Sequence, residues 1–375
     1  MTNWDVVVIG QGIFGCAARA YLAQRGVRVL GLEQSAAGHD GGSSHGESRV
    51  IRQANFENPR YAELISRAMT LWPQLEGEAG EVLERCGVLE AAPSASAYLG
   101  QTLMAAVAGA VPIEPMTPAG VRDRFPAITL PEPWSALLQP RSGYLKADAA
   151  IARYLQIAAG HGSELRTGVR VRSVEERGDG VEIRTDAGDV ITAAAAIVTT
   201  GPWIGELIPQ MRPHLRLTRQ VLAWYQPPSA DLFLPGRFPV FLFATDIGFV
   251  YGFPHVPGFG VKIALHEHGS VLAHPNDARQ DAEMHEARPL RASVKAILAA
   301  LPAEAARVRT CIYANTPDEE FVVGKRPGAD RIIFASACSG HGFKFASAIG
   351  ESLADLACGA PPSCDLSAFG LDRFK

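Results

Sequence analysis

The apolar positions near the start of the chain change period twice within thirty residues. Asp5 to Ile9 (DVVVI) is an unbroken β-branched run, which predicts a parallel strand buried on both faces. Ile13, Phe14, Ala17, Ala18, Tyr21 and Leu22 then recur at helical spacing. Gly26 marks the helix end, and Val27 to Leu32 forms a second strand. Strand, turn, helix and strand make a βαβ unit. Helical spacing resumes from Tyr61 to Trp72. The section from about 165 to 200 alternates as a strand pair around Gly178-Asp179-Gly180 and runs into the apolar strand of AAIVTTGPW. From Leu215 to about Ala264, strand-like runs punctuated by Gly and Pro predict an antiparallel sheet in a second domain. The tail RIIFASACSGHGFKFASAIGESLADLA reads as strand, glycine turn and helix.

A length of 375 residues fits two domains. No repeat, low-complexity tract or linker separates the segments, so the domains are expected to be woven from discontinuous pieces. The net charge of -4 and the lack of a Lys/Arg-rich run give no reason to expect nucleic acid or a membrane surface as partner. A small molecule is the expected partner. The N-terminus lacks a basic region followed by a long apolar core, so no signal peptide is expected, and no apolar run reaches the roughly 18 residues of a membrane span. The six cysteines, Cys16, Cys86, Cys311, Cys338, Cys358 and Cys364, show neither CxxC pairs nor a dense framework. Disulfides and a metal site are both unexpected, and a reducing cytoplasm is the expected setting. The final Arg373-Phe374-Lys375 is not a peroxisomal address.

Gly10-Gln11-Gly12-Ile13-Phe14-Gly15 follows the first strand and opens the first helix, and Glu33 ends the second strand. Glycines allow a tight turn and close approach of a pyrophosphate to the helix N-terminus, while the acid can accept hydrogen bonds from a ribose. This predicts dinucleotide binding but does not separate FAD from NAD. The stretch GHDGGSSHGESRVIRQANFENPRY that follows has few apolar positions and is long for a plain connector, which argues for a functional loop. Arg49 and Arg52 lie within it. Ordinarily two such guanidiniums are solvated or salt-bridged, and buried ones require anions. Lys262 and His266 share strand parity, which would let both point into one cavity.

The motifs GQGIFG, GSSHGESRVIRQA, YGFP…GVKIALH, CIYANTPDEEFVVGKRP and SGHGFKFASAIGE, in this order along the whole chain, resemble the monomeric sarcosine oxidase and N-methyltryptophan oxidase family of covalent FAD amine oxidases. The resemblance implies an α/β (α+β) fold: a glutathione-reductase-type FAD-binding domain with a Rossmann-like βαβ unit, interwoven with a substrate domain built on an antiparallel sheet. Residues 1–90, 141–214 and 310–375 are expected in the FAD domain, and 91–140 and 215–309 in the substrate domain. Cys311 matches the family's attachment point for the flavin, which requires a thiolate. Arg52 and Lys344 match its two clamps on a substrate carboxylate, Arg49 its residue beside the flavin ring, and Lys262 its oxygen-activating residue. His266, Leu242, Tyr251 and Tyr313 match the substrate pocket. Around the cofactor the resemblance implies the GQGIFG residues, Glu33, Gln34, Ser43, Ser44, His45, Val171, Thr200, Gly201, Trp203 and Gly340-His341-Gly342-Phe343. The amides before Lys344, at a helix N-terminus, would stabilise the anionic reduced ring.

The implied activity is oxidation of a secondary amino acid, such as an N-methyl amino acid or a cyclic imino acid. A hydride passes to flavin N5 to give an imine, and O2 is reduced to hydrogen peroxide, in a protein the family suggests is a monomer. Three positions depart from the family pattern: Ser44 precedes His45 where two histidines are common, Asn55 stands where Tyr is frequent, and Leu242 replaces a methionine. They leave the exact substrate open. A dehydrogenase passing electrons to another acceptor, a flavin-binding subunit without turnover, and an NAD enzyme remain alternatives.

Overall fold

The strand Trp4–Ile9 is the middle of a parallel array whose order is Glu164–Thr167, Val29–Glu33, Trp4–Ile9, Val190–Val198, Ala329–Ser336. The computed structural model describes residues 4–54, 60–76, 82–266, 269–278, 282–336 and 339–374. Asn55 and Cys338 lie outside the described residues. Because side chains alternate along a strand, Val6 and Val8 enter one core and Val7 and Ile9 another. The first core packs under the helices Ile13–Gln24, Tyr61–Leu71, Ala147–Gly160 and Ala346–Ala357. The second is closed by the hairpin Val171–Arg177/Gly180–Thr185, which joins the outer half of Val190–Val198. The hairpin turns at Gly178, whose φ of 57° favours glycine. Two-sided burial explains why the first strand is apolar without alternation.

Among the described residues the second large sheet has nine strands, including Arg216–Tyr225, Gly260–Leu265, Gly248–Val256, Val240–Thr245, Val88–Pro93 and Trp134–Gln139 in that order. Its pairs are antiparallel except Val240–Thr245 with Val88–Pro93, which run parallel. These two strands come from distant chain segments, so no hairpin constrains their direction. Arg307–Asn315 pairs along the whole length of Arg216–Tyr225. Both Val88–Pro93 and Arg307–Asn315 belong to this sheet and run across the expected boundaries at 90/91 and 309/310.

The polar loop after the βαβ unit contains one more element. Ser48–Ile51 pairs with Gly143–Lys146, which also pairs with Leu83–Glu84. This small sheet fixes the backbone that carries Arg49 and precedes Arg52.

Candidate active site

Two cavities meet at the N-terminus of the first helix, sharing Ile13, Phe14, Ser43 and Ser44 in their walls. The first is lined by Gly10, Gln11, Gly12, Glu33, Gln34, Val171, Thr200, Gly201 and Trp203, along with those shared residues. Gly10 has φ 90°, and a Cβ there would stand 2.6 Å from the Thr199 carbonyl oxygen. Gly15 does not line the cavity; a Cβ on it would meet the Gly10 carbonyl oxygen at 1.9 Å, so it lets the helix start against the turn. The turn therefore admits only glycine at both positions. Gly15→Val is expected to abolish FAD retention by the purified protein; a yellow variant with a parent-like flavin-to-protein ratio would contradict this.

Glu33 closes the far end. Its carboxylate accepts hydrogen bonds from the Gln11 amide (2.7 Å) and the Ser35 amide (2.9 Å), and His39 Nε2 lies 3.4 Å away. Burial raises the Glu33 carboxyl, but the hydrogen bonds from His39, Gln11 and Ser35 outweigh it and leave the group below its ordinary value. The same pairing raises His39. A buried carboxylate facing the mouth of a glycine turn suits a ribose.

The second cavity brings together Arg49, Arg52, Leu242, Tyr251, His266, Cys311, Tyr313, Gly340, His341, Gly342, Phe343 and Lys344. Cys311 is 3% exposed on Arg307–Asn315, with Sγ 3.8 Å from the Ser43 carbonyl oxygen. The Ser43-Ser44 turn ties that strand to the first helix. Ser43 Oγ donates to the Ile312 carbonyl (2.6 Å), and Ser44 Oγ accepts from the Ile13 amide (3.2 Å). Arg49 is held by the carbonyls of Ser43, His45 and Ser48, with its guanidinium 5.6 Å from the Phe343 ring centre. Lys344 is buried and donates to the His341 carbonyl at 3.0 Å. It belongs to the short turn Phe343–Phe345 that leads into Ala346–Ala357. Tyr251 and Tyr313 bring their hydroxyls to 3.4 Å, and burial raises the Tyr251 phenol.

Lys262 and His266 do not share this cavity. His266 lines it, whereas Lys262 turns its ammonium to the Gly46 carbonyl (2.6 Å), the Ser48 carbonyl (2.8 Å) and Ser48 Oγ (3.3 Å). Lys262 stands behind the wall, 4.7 Å from the ring centre of Phe253, which does face the cavity. Burial first, then the Arg49 charge, lower its pKa well below the ordinary lysine value. His45 is also outside both cavity walls. Burial, reinforced by Arg49, pushes its imidazole down to about 4, and its Nε2 has no hydrogen-bond partner among the described residues.

Glu90 was not singled out from the sequence, yet it is wholly buried and lies 3.2 Å from Arg52. Its signal was a lone acid in the apolar run VLEAAP. Phe249 and Phe253, also unforeseen, complete an aromatic wall.

A glycine turn beside a buried acid, opening into a cavity of buried cations and aromatic rings, is the arrangement of an enzyme that carries a dinucleotide cofactor. The chain belongs to the FAD dependent oxidoreductase family, whose model matches residues 5–356, and within it to the group of the monomeric sarcosine and N-methyltryptophan oxidases. It is 34% identical over 362 residues to monomeric sarcosine oxidase of Streptomyces avermitilis, covering 95% of this chain and 94% of the relative. It is 32% identical over 380 residues to N-methyl-L-tryptophan oxidase of Yersinia pestis, covering all of both chains. Among solved structures it resembles the amino acid oxidase NikD in its open form (TM-score 0.86, 23% identity, 99% of this chain and 98% of that one). It also resembles L-proline dehydrogenase from P. horikoshii (TM-score 0.85, 21% identity, 100% and 98%). Both likenesses concern the fold. The cofactor of the family is FAD, and the glycine turn, Glu33 and the joined cavities fit it.

Proposed function

We propose that the protein oxidises a secondary amino acid, an N-methyl amino acid or a cyclic imino acid, with O2 as electron acceptor. The observation that carries this reading is that two buried cations, Arg52 and Lys344, line the same cavity as Cys311. Two fixed positive charges in a largely apolar cavity select a carboxylate, and a carboxylate held there presents the neighbouring C–N bond to the region of Cys311 and Gly340. When bound, FAD would supply two-electron oxidation of the C–N bond by hydride uptake, with O2 as final acceptor and hydrogen peroxide as its product. The chain contributes orientation. Tyr251, Tyr313, Leu242 and His266 bound the space beside the reacting carbon, and Arg49 with the amides around Gly342 contributes positive potential toward the reduced ring. Cys311 would hold the flavin through its sulfur, the two electrons released on forming that bond passing through the ring to O2. The nine-stranded sheet forms the substrate domain and the parallel sheet the cofactor domain.

The reading includes a cytoplasmic monomer. None of the described cysteines is in a disulfide, no described helix is long and apolar enough to cross a membrane, and one relative is a monomeric sarcosine oxidase.

The test is the clamp. A charge-assisted hydrogen bond contributes about 1.5–3 kcal/mol, so Arg52→Ala or Lys344→Ala is expected to weaken competitive inhibition by small amine-free carboxylates by roughly one to two powers of ten. Unchanged inhibition constants in both variants would remove the assignment.

A further inference from the structure

We propose that Glu90 is a positioning residue that steadies the Arg52 guanidinium for the substrate carboxylate, an inference that rests on the clamp reading above. Glu90 lies on Val88–Pro93, with no exposed surface, and is the register partner of Leu242 in the cavity wall. Glu90 itself does not reach the cavity; Arg52 does. One carboxylate oxygen, Oε2, accepts hydrogen bonds from Tyr98 Oη (2.5 Å) and Thr102 Oγ1 (2.9 Å) and lies 3.2 Å from Arg52 Nη1. The other, Oε1, accepts from Gln139 Nε2 at 2.7 Å. Tyr98 and Thr102 are one turn apart on the helix Ala97–Ala108, so that helix presents both donors on one face.

Gln139 extends the arrangement to the backbone beside Arg52. Its Oε1 accepts from the Ala54 amide (3.0 Å) and its Nε2 donates to the Ala54 carbonyl (3.3 Å). Ser142 Oγ, which donates to Gln139 Oε1, accepts from the Gln53 amide at 3.3 Å. The network thus grips both the side chain of Arg52 and the two residues that follow it. A carboxylate removed from water is strongly disfavoured unless its lone pairs are occupied, and here neutral donors from a helix and a strand occupy them beside one cation. The Arg52–Glu90 contact is an ion pair at one guanidinium nitrogen, Nη1, rather than a hydrogen bond, and an arginine drawn toward a fixed charge at one nitrogen loses less freedom when its other nitrogens meet a ligand. Removing the carboxylate would take away this part of the hold on the Arg52 guanidinium.

The experiment is calorimetric binding of propionate and benzoate to the oxidised holoenzyme, with the corresponding amides as uncharged controls, in a double-mutant cycle of Glu90→Gln and Arg52→Met. Glu90→Gln is expected to weaken carboxylate binding about tenfold when Arg52 is present, and to change it by less than about twofold in the Arg52→Met background, with amide binding unmoved in both. The double variant should also melt at a higher temperature than Arg52→Met alone, because that single change strands a buried carboxylate. Should Glu90→Gln not fold, Tyr98→Phe removes one hydrogen bond to Glu90 while keeping its charge, and a weakening of about threefold that requires Arg52 is expected. Equal weakening in both backgrounds, or no weakening with Arg52 present, overturns the role of Glu90 while leaving the clamp intact. A parent enzyme that binds neither carboxylate, or an Arg52→Met that binds them as the parent does, overturns the clamp and this inference with it.

Discussion

Lys262→Met is expected to slow reoxidation of the reduced flavin by on the order of a hundredfold or more while reduction by substrate stays near the parent rate. The first electron passed to O2 makes an anion, and a fixed positive charge stabilises it far more in a dry site than in water. Lys262 is placed for such a role when protonated: it is 2% exposed, its ammonium is fastened by Gly46 and Ser48, and it lies 4.7 Å from the ring centre of Phe253, which lines the second cavity. Methionine retains much of the volume and deletes the charge. The pH dependence has a definite sign. Burial lowers the lysine pKa, so the charged form is lost at a lower pH than for an exposed lysine, and reoxidation should fall as pH rises through that value. Lys262→Met should show no such fall. Stopped-flow measurement of both half-reactions separates the possibilities, and equal slowing of the two would make Lys262 a structural or substrate residue instead.

The second large effect is all-or-none. Acid precipitation of the parent protein should leave flavin colour and fluorescence with the polypeptide, and Cys311→Ala should release all of it to the supernatant or yield protein without flavin. Cys311 faces the cavity that also holds Arg49 and Gly340, and its strand is tied through Ser43 to the helix that opens the first cavity. A thiol placed at that junction is within the reach of a group spanning both spaces. Parent protein whose flavin is entirely soluble after precipitation would exclude the tether while leaving FAD as a noncovalent cofactor.

The first fifty residues show what a sequence makes legible. Asp5 to Ile9, the helix that follows and Glu33 are set by local period and by turn chemistry, and the structure has them within a few residues of the expected places. The parallel pairing of Val88–Pro93 with Val240–Thr245 was not legible, since direction between distant segments is decided by packing and no local turn records it. The Arg52–Glu90 pair was hidden for the same reason: it joins remote segments that the pairings of Val88–Pro93 with Trp134–Gln139 and of Ser48–Ile51 with Gly143–Lys146 bring together. Lys262 and His266 illustrate the limit of parity. Equal parity fixes a common face only while a strand continues, and Gly260–Leu265 ends one residue before His266, whose amide donates to the Phe249 carbonyl. Cys311, in contrast, carried no physical signal of its own. A lone cysteine in an apolar strand is ordinarily a small buried side chain, and only the resemblance of the residues after it marked it out.

Anaerobic titration of the holoenzyme with sarcosine, N-methyl-L-tryptophan and L-proline, followed by admission of air, tests the central claim most directly. At least one of these amines should bleach the oxidised flavin band completely, and air should restore it with one hydrogen peroxide formed per flavin. A flavin that dithionite reduces but none of these amines bleaches would contradict oxidation of a secondary amino acid at this site.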